Sequence, residues 1–322
     1  MASQTRYADR VIPCISMHDF EDRIDEITDQ LIQAAENVGF FTLIGHGISK
    51  EHIDSMFAIS KLSSIYRTTS KQLYRGIQTM SDGKRTHRFD RLLGSPTVES
   101  YQLQFGENMN DLWVKYDDLP GFRTASLDFM NRVQQVSECL MRCFARGLGF
   151  PGEILHRMSW HFTTELANHY ASTPLLCIAR SFRRQGAHAD WDFLTLLFQR
   201  DGQDGLEICP GCEVVTEFGI GDGWTKLKAR TGEIVCNIDD LLMSWWDDRF
   251  KPTFHHVKAP CEPGDYFRDR YSIAYFNQPC KDSLIQGPSK KYPMVTGAQF
   301  TDTAMKRNFA ALQEKLKTAA AA

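Results

Sequence analysis

Nowhere does this sequence stay apolar for the roughly 18 residues that a membrane-spanning helix needs. Its first 15 residues, MASQTRYADRVIPCI, lack the apolar stretch of a secretory signal, so a cytoplasmic protein is expected. A dominant charge is missing as well. Lys and Arg number 37 against 40 Asp and Glu, a formal net charge of −3, and this balance favours neither a nucleic acid nor an anionic membrane as partner. Cysteine is present, but not as a scaffold: nine at irregular spacings, an odd number, suit reduced thiols better than disulfides. Cys209 and Cys212 form a C-x-x-C with no second pair nearby to complete a zinc site. Pro210-Gly211 between them makes a hairpin tip the expected structure there.

What is present is the patterning of an ordinary globular chain of 322 residues, 42% hydrophobic and 24% charged, without internal repeats. IPCIS, near the start, has the character of a short strand. Ile24, Ile27, Leu31 and Ala35 then recur at helical spacing, and Gly39 stops that helix. GFFTLIGHGI follows as a buried strand ending in a Gly-His-Gly turn, and Ser49 is placed to cap a helix carrying Ile53, Met56 and Phe57. After Pro120-Gly121 the stripe Leu127, Met130, Val133, Leu140, Phe144, Leu148 predicts a helix of about six turns. From Gly186 to Pro279 short apolar runs (FLTLLFQ, LEIC, EVVT, TKLKA, EIVCNI, SIAYFNQ) alternate with Gly, Asp and Pro turns, the pattern of an antiparallel sandwich or barrel. Met305, Phe309, Leu312 and Leu316 predict a last amphipathic helix. The fold class expected is α+β, a double-stranded β-helix (jelly-roll) core flanked by helices. An N-terminal helix and strand region, 1–120, and a jelly-roll part, 121–322, form one integrated fold.

The strand-rich half also holds the chemistry. His188 and Asp190 in GAHADWDFLTLLFQ stand two apart, so on a strand they share a face. A second imidazole from FKPTFHHVKAP, His255 or its neighbour His256, can close the set if the sheet folds back. Two imidazoles and a carboxylate on one side of a metal leave the opposite positions open, the arrangement used for iron(II) and oxygen. Arg270 and Ser272 in DRYSIAYFNQP alternate on a strand and can grip a carboxylate, the guanidinium in bidentate fashion. An acidic cosubstrate beside a metal is the expectation.

These three segments resemble the iron and cosubstrate motifs of the isopenicillin N synthase-like 2-oxoglutarate/iron(II) dioxygenases, the fungal members in particular. IPCISMHDF, AAENVGFFTLIGHGIS and ESYQLQFGENM resemble other parts of the same family, so the likeness spans residues 11–60, 99–153 and 186–318. The resemblance implies that His188, Asp190 and His255 are the iron ligands, the last because Thr253-Phe254-His255 matches the family's spacing. It implies that Arg270 and Ser272 bind the C5 carboxylate of 2-oxoglutarate, with Tyr170 the nearest candidate for a further contact. His46 has no ligand role, and His256 is a neighbour of the site or a surface residue. The implied cofactors are Fe(II), 2-oxoglutarate and O2, with ascorbate helpful. The implied reaction is oxidation of a small molecule of specialised metabolism, by default hydroxylation, with release of succinate and CO2. Two alternatives stand beside it: a catalytically impaired relative that keeps the fold, and an oxidase independent of 2-oxoglutarate, as isopenicillin N synthase is.

Two blocks depart from the family pattern. Residues 61–98 carry eight basic side chains against Asp82 and Asp90, and 154–185 carry Arg157, Arg180, Arg183 and Arg184 against Glu165. Both end abruptly against well-matched flanks, as a self-correcting shift of reading frame would leave them. The expectation is a chain that lacks one core strand and much of its pocket wall.

Overall fold

In the computed structural model of the chain, the described residues are 7–69, 76–79, 85–88, 98–105, 109, 113–149, 175–181, 185–209, 223–250, 254–279, 281–304 and 306–307. β1 (Cys14–Ser16), α1 (Ile24–Asn37), β2 (Phe40–Ile44) and α2 (Lys50–Thr69) open the chain. β3 (Gly76–Thr79) pairs with β4 (Arg85–Arg88), and β5 (Val98–Gln104) precedes the long α3 (Phe122–Gly147). Then come β6 (Leu175–Ser181), β7 (Gln185–His188), β8 (Leu194–Gln199), β9 (Leu206–Cys209), β10 (Thr225–Leu227) and β11 (Ile234–Ile238). The short α4 (Asp240–Trp245), β12 (Phe254–Val257), β13 (Arg270–Asn277) and the small pair β14 (Leu284–Ile285) with β15 (Val295–Thr296) complete the order.

Two sheets carry the architecture. Seven strands run in the order β1-β2-β11-β8-β13-β6-β5, and four in the order β10-β9-β12-β7. β1 and β2 are parallel, and the other pairings are antiparallel. Through β2, hydrogen-bonded to β11, the N-terminal segment is part of the large sheet. Period-two alternation gives that sheet two different faces. Leu194, Leu196 and Phe198 of β8, Ile234, Cys236 and Ile238 of β11, and Tyr271, Ile273 and Tyr275 of β13 join a core with Leu31, Met130, Val133, Leu140 and Phe144 of the helices. The Phe129 and Phe198 rings meet edge to face at 5.1 Å, which seats α3 on β8. On the opposite face Phe40, Val235 and Leu197 pack with Leu206, Ile208 and Leu227 of the small sheet. Covered on both sides, β8 and β11 are apolar almost without interruption. Polar residues on that inner face (Thr195, Gln199, Asn237, Arg270, Ser272) gather where the chemistry lies.

Local signals place the elements where the sequence puts them. α1 ends at Gly39, whose φ of +73° suits glycine and whose N–H returns to Ala34 O at 2.8 Å. Ser49 Oγ accepts from His52 N at 3.3 Å, capping α2. Cys212 with EVVT, and Phe309, Leu312 and Leu316, lie outside the described residues. The expected loss of a core strand is corrected for 175–181. Leu175–Ser181 forms β6, paired with β13 on one side and β5 on the other, with Leu176 and Ile178 fully buried. The run LLCIA is short, and counting arginines over the whole block hid it. Within the first block, α2 continues to Thr69.

His46 follows β2 in the turn Gly45-His46-Gly47, where Gly45 has φ +65° and a Cβ would meet the His18 ring at 2.5 Å. Ile48 N donates to His46 Nδ1 at 3.3 Å, so the ring hydrogen is on Nε2, which donates to Gly232 O at 2.9 Å. The neutral ring thus ties the end of β2 to the turn before β11. Burial lowers the His46 pKa, outweighing the Gly232 bond. The stabilisation is therefore complete above the unfolded value of about 6.5 and is lost as pH falls through the depressed folded value. His46→Leu is expected to cost about 1–3 kcal/mol near pH 7.5 and to flatten stability against pH below 6.5. Denaturant titrations at several pH values measure both, and an unchanged acid slope in the variant would assign that slope to other groups.

Candidate metal centre

Antiparallel pairing of β12 with β7 sets His255 directly opposite His188. Asp190 follows two residues after His188, where the chain leaves the small sheet for β8 of the large one. The three residues converge: one ligand atom from each of His188, Asp190 and His255 lies within 4.8 Å of the others. His188 Nε2 stands 3.5 Å from Asp190 Oδ1, and His255 Nε2 stands 3.6 Å from Oδ2. The imidazole rings are 4.3 Å apart, and Phe40 meets His255 edge-on at 5.9 Å. Two neutral-capable nitrogens and one hard oxygen at these separations fit a divalent first-row metal such as iron(II).

The strand adjacent to each ligand decides how its side chain is held. Asp190 Oδ2 accepts from Thr195 Oγ1 at 2.9 Å and from Asn237 Nδ2 at 3.1 Å, leaving Oδ1 on the His188 side. Thr195 Oγ1 is also 2.9 Å from Asp239 Oδ2, and a hydroxyl has one hydrogen to give. Burial, then the charges of Asp190 and Asp192, raise the Asp239 carboxyl well above its ordinary pKa, a direction that favours the protonated acid able to supply the second hydrogen. Burial and then Asp190 likewise push Asp192 up to about 8. Burial opposes ionisation of Asp190 too, but His255, His188 and the Asn237 and Thr195 bonds outweigh it and lower its pKa. Of three buried aspartates, the one that faces both imidazoles has its pKa lowered, and the other two have theirs raised.

His256, one residue further along β12, points the other way. It is buried, its Nε2 lies 2.7 Å from Glu207 Oε2, and its ring stacks on Trp224 at 3.9 Å. Tyr7 Oη donates to the other Glu207 oxygen at 2.8 Å. His256 belongs to the outer face of the small sheet, and the expectation of a surface or site-adjacent residue is corrected by strand alternation.

Arg270 and Ser272 share the inner face of β13, opposite Ser181 and Gln199 respectively. Arg270 is buried, and its guanidinium meets neutral acceptors: Nε donates to Gln203 O at 3.2 Å and Nη2 to Gln199 Oε1 at 2.7 Å. No ion pair to Arg270 exists among the described residues. Burial lowers its pKa to about 10 even so. Tyr170 lies outside the described residues. Sequence reasoning missed Thr195, Gln199, Asn237 and Asp239. For Thr195, Gln199 and Asn237 the alternation of β8 and β11 marks an inward polar position, though not its partner; Asp239 follows β11 and has no such signal.

A His/Asp/His set that could hold a metal lies on a small sheet packed against a larger one, whose inner face carries a buried arginine, the arrangement expected of a jelly-roll oxygenase. Comparison with known proteins agrees. Residues 166–279 match the profile of the 2OG-Fe(II) oxygenase superfamily, and residues 12–63 match that of the non-haem dioxygenase in morphine synthesis N-terminal region. The chain is 27% identical to a 2-oxoglutarate-Fe(II) type oxidoreductase, ppzD, of Metarhizium rileyi, covering 84% of this chain and 82% of the relative. It is 27% identical to the proline hydroxylase buaE of Petromyces alliaceus, covering 82% and 85%. The crystal structure of a full-length Neurospora crassa protein in complex with alpha-KG and 5-formyluracil superposes with a TM-score of 0.71 at 21% identity, covering 92% of this chain and 97% of that one. The chain belongs to the 2-oxoglutarate/iron(II) oxygenase superfamily and is a 2-oxoglutarate- and iron(II)-dependent dioxygenase. No described helix is long and apolar enough to cross a membrane.

Proposed function

We propose that this enzyme hydroxylates a C–H bond of a small molecule of specialised metabolism, in the cytoplasm, with His188, Asp190 and His255 as iron ligands and Arg270 and Ser272 as the cosubstrate clamp. The observation that carries the reading is the pairing of a converged donor set with a buried guanidinium that has no ion-pair partner among the described residues. Bound iron(II) and 2-oxoglutarate supply the oxidising power, drawn from O2 with release of succinate and CO2. The chain's own residues do the rest. Thr195 and Asn237 fix Asp190. Phe40 covers one edge of His255 and limits water there. Thr195 and Gln199, four residues apart on one face of β8, contact Asp190 and Arg270 respectively, so one strand face links the metal end to the proposed carboxylate clamp. The fungal proline hydroxylase among the relatives supports hydroxylation as the outcome, and the pyrimidine bound by the Neurospora crassa protein supports a small-molecule substrate.

The test is succinate release and O2 uptake by the purified protein with Fe(II), 2-oxoglutarate and ascorbate, measured across a panel of amino acids, nucleobases and fungal metabolites. Coupled succinate formation and a product heavier by one oxygen atom are expected with a substrate. O2 uptake without any need for 2-oxoglutarate would make the chain an oxidase instead. Neither signal, from a protein that binds no iron, would make it an impaired relative.

A further inference from the structure

The inner face of β8 holds a side chain whose role the metal centre does not explain. Gln199 is 2% exposed, sits opposite Ser272, and places its Oε1 2.7 Å from Arg270 Nη2. Guanidinium nitrogens only donate, so the amide atom facing Arg270 is the oxygen and the orientation of the amide is fixed. The amide nitrogen consequently points away from Arg270. It is buried and has no hydrogen-bond partner among the described residues. Buried donors are paired in folded proteins as a rule, and an exception calls for a ligand or a cause.

The charge pattern sharpens the point. A buried arginine is ordinarily matched by a carboxylate, and glutamate in place of Gln199 would provide one with almost no change of shape. Arg270 instead has two neutral acceptors, Gln199 Oε1 and the carbonyl of Gln203, whose own Oε1 accepts from Tyr271 N at 2.7 Å. The carboxylate that Arg270 feels is that of Asp204. That side chain is exposed and accepts from Ala229 N at 2.8 Å. The surroundings orient the guanidinium without neutralising it.

We infer that Gln199 is a positioning and charge-selecting residue of the cosubstrate site: it aligns Arg270 through its amide oxygen, stays neutral so that the cosubstrate's distal carboxylate becomes the counter-ion, and gives its amide nitrogen to that carboxylate. The inference rests on the reading of Arg270 and Ser272 as the 2-oxoglutarate clamp. Its chemistry is selective for a dicarboxylate and against monocarboxylic keto acids, which have no distal carboxylate to meet Arg270.

Gln199→Glu tests it, because the variant keeps the shape, replaces the donor by an acceptor and places a carboxylate against Arg270. In thermal melts of metal-free protein, added 2-oxoglutarate is expected to raise the Tm of the parent and to leave that of the variant unmoved. In turnover the KM for 2-oxoglutarate rises tenfold or more while kcat at saturation stays within about twofold. Gln199→Met, which removes both polar atoms and adds no charge, is expected to raise KM by a smaller factor and keep part of the thermal response. It serves as the decisive variant if Gln199→Glu does not fold. A parent protein that 2-oxoglutarate fails to stabilise would overturn the clamp reading and this inference together. A stabilised parent whose two variants respond equally would overturn the role of Gln199 alone.

Discussion

Replacing His255 with alanine is expected to abolish iron(II) binding and succinate release, whereas His256→Ala leaves iron binding intact and lowers stability. The two residues are adjacent, and the strand sends them to opposite faces. His255 stands across from His188 with its Nε2 3.6 Å from Asp190. His256 is sealed against Glu207 and Trp224 on the outer face. The proposed set of three protein ligands holds no spare donor. Removing even an outer partner of a metal ligand typically costs about 10–100-fold in affinity or activity, and removing the ligand itself should exceed that range. His256→Ala breaks a buried, hydrogen-bonded pair and leaves Glu207 with Tyr7 alone, a change worth about 3 kcal/mol. Anaerobic Fe(II) titration and urea denaturation of the two variants separate these effects. Iron lost from His256→Ala and retained by His255→Ala would reverse the assignment.

How far the sequence disclosed this outcome depends on the range over which each property is encoded. The helix stop at Gly39, the Ser49 cap and the apolar runs of β8, β11 and β13 are local, and they appear where the residues predict them. The His188, Asp190, His255 set was legible because residue types and order carry the chemistry, and the cross-strand pairing then brings them within reach. The choice between His255 and His256 was not settled by spacing in the chain. The family resemblance pointed to His255 through Thr253-Phe254-His255, and the physical ground for it is which face of β12 meets β7. Asn237 and Asp239 are 47 and 49 residues from Asp190, and nothing local marks them as its supports. β6 shows the converse error, because a charge count over 32 residues concealed a five-residue apolar run that the large sheet needed. Strand alternation, applied to every polar residue inside an apolar strand, recovers most of what was missed.

Arg270→Lys is expected to raise the KM for 2-oxoglutarate at least tenfold with kcat little changed, and Arg270→Met to abolish cosubstrate binding while making the metal-free protein more stable. The first follows from geometry. Arg270 spends Nε on the Gln203 carbonyl and Nη2 on Gln199 Oε1; its remaining N–H groups meet no other acceptor among the described residues and can meet a carboxylate in a fixed plane. A lysine ammonium keeps the charge but is one point on a flexible stem, and it cannot hold both of those acceptors and the ligand together. Losing one partner of a buried charged pair costs roughly 2–5 kcal/mol, and about 1.4 kcal/mol is already tenfold. The second follows from electrostatics. Without ligand the guanidinium is a buried charge with neutral acceptors, and burial already pulls its pKa down to about 10. Replacing a buried charge with an apolar side chain of similar length is often stabilising by about 1–4 kcal/mol, less here for the lost bonds to Gln199 and Gln203. A stabilising substitution that eliminates binding is the signature of a residue kept for function and not for folding. Thermal melts with and without 2-oxoglutarate, beside steady-state kinetics, measure both effects. An Arg270→Met protein that melts lower than the parent in the absence of ligand would show that Arg270 is part of the structural core, and an unchanged KM in Arg270→Lys would move the cosubstrate carboxylate to another residue.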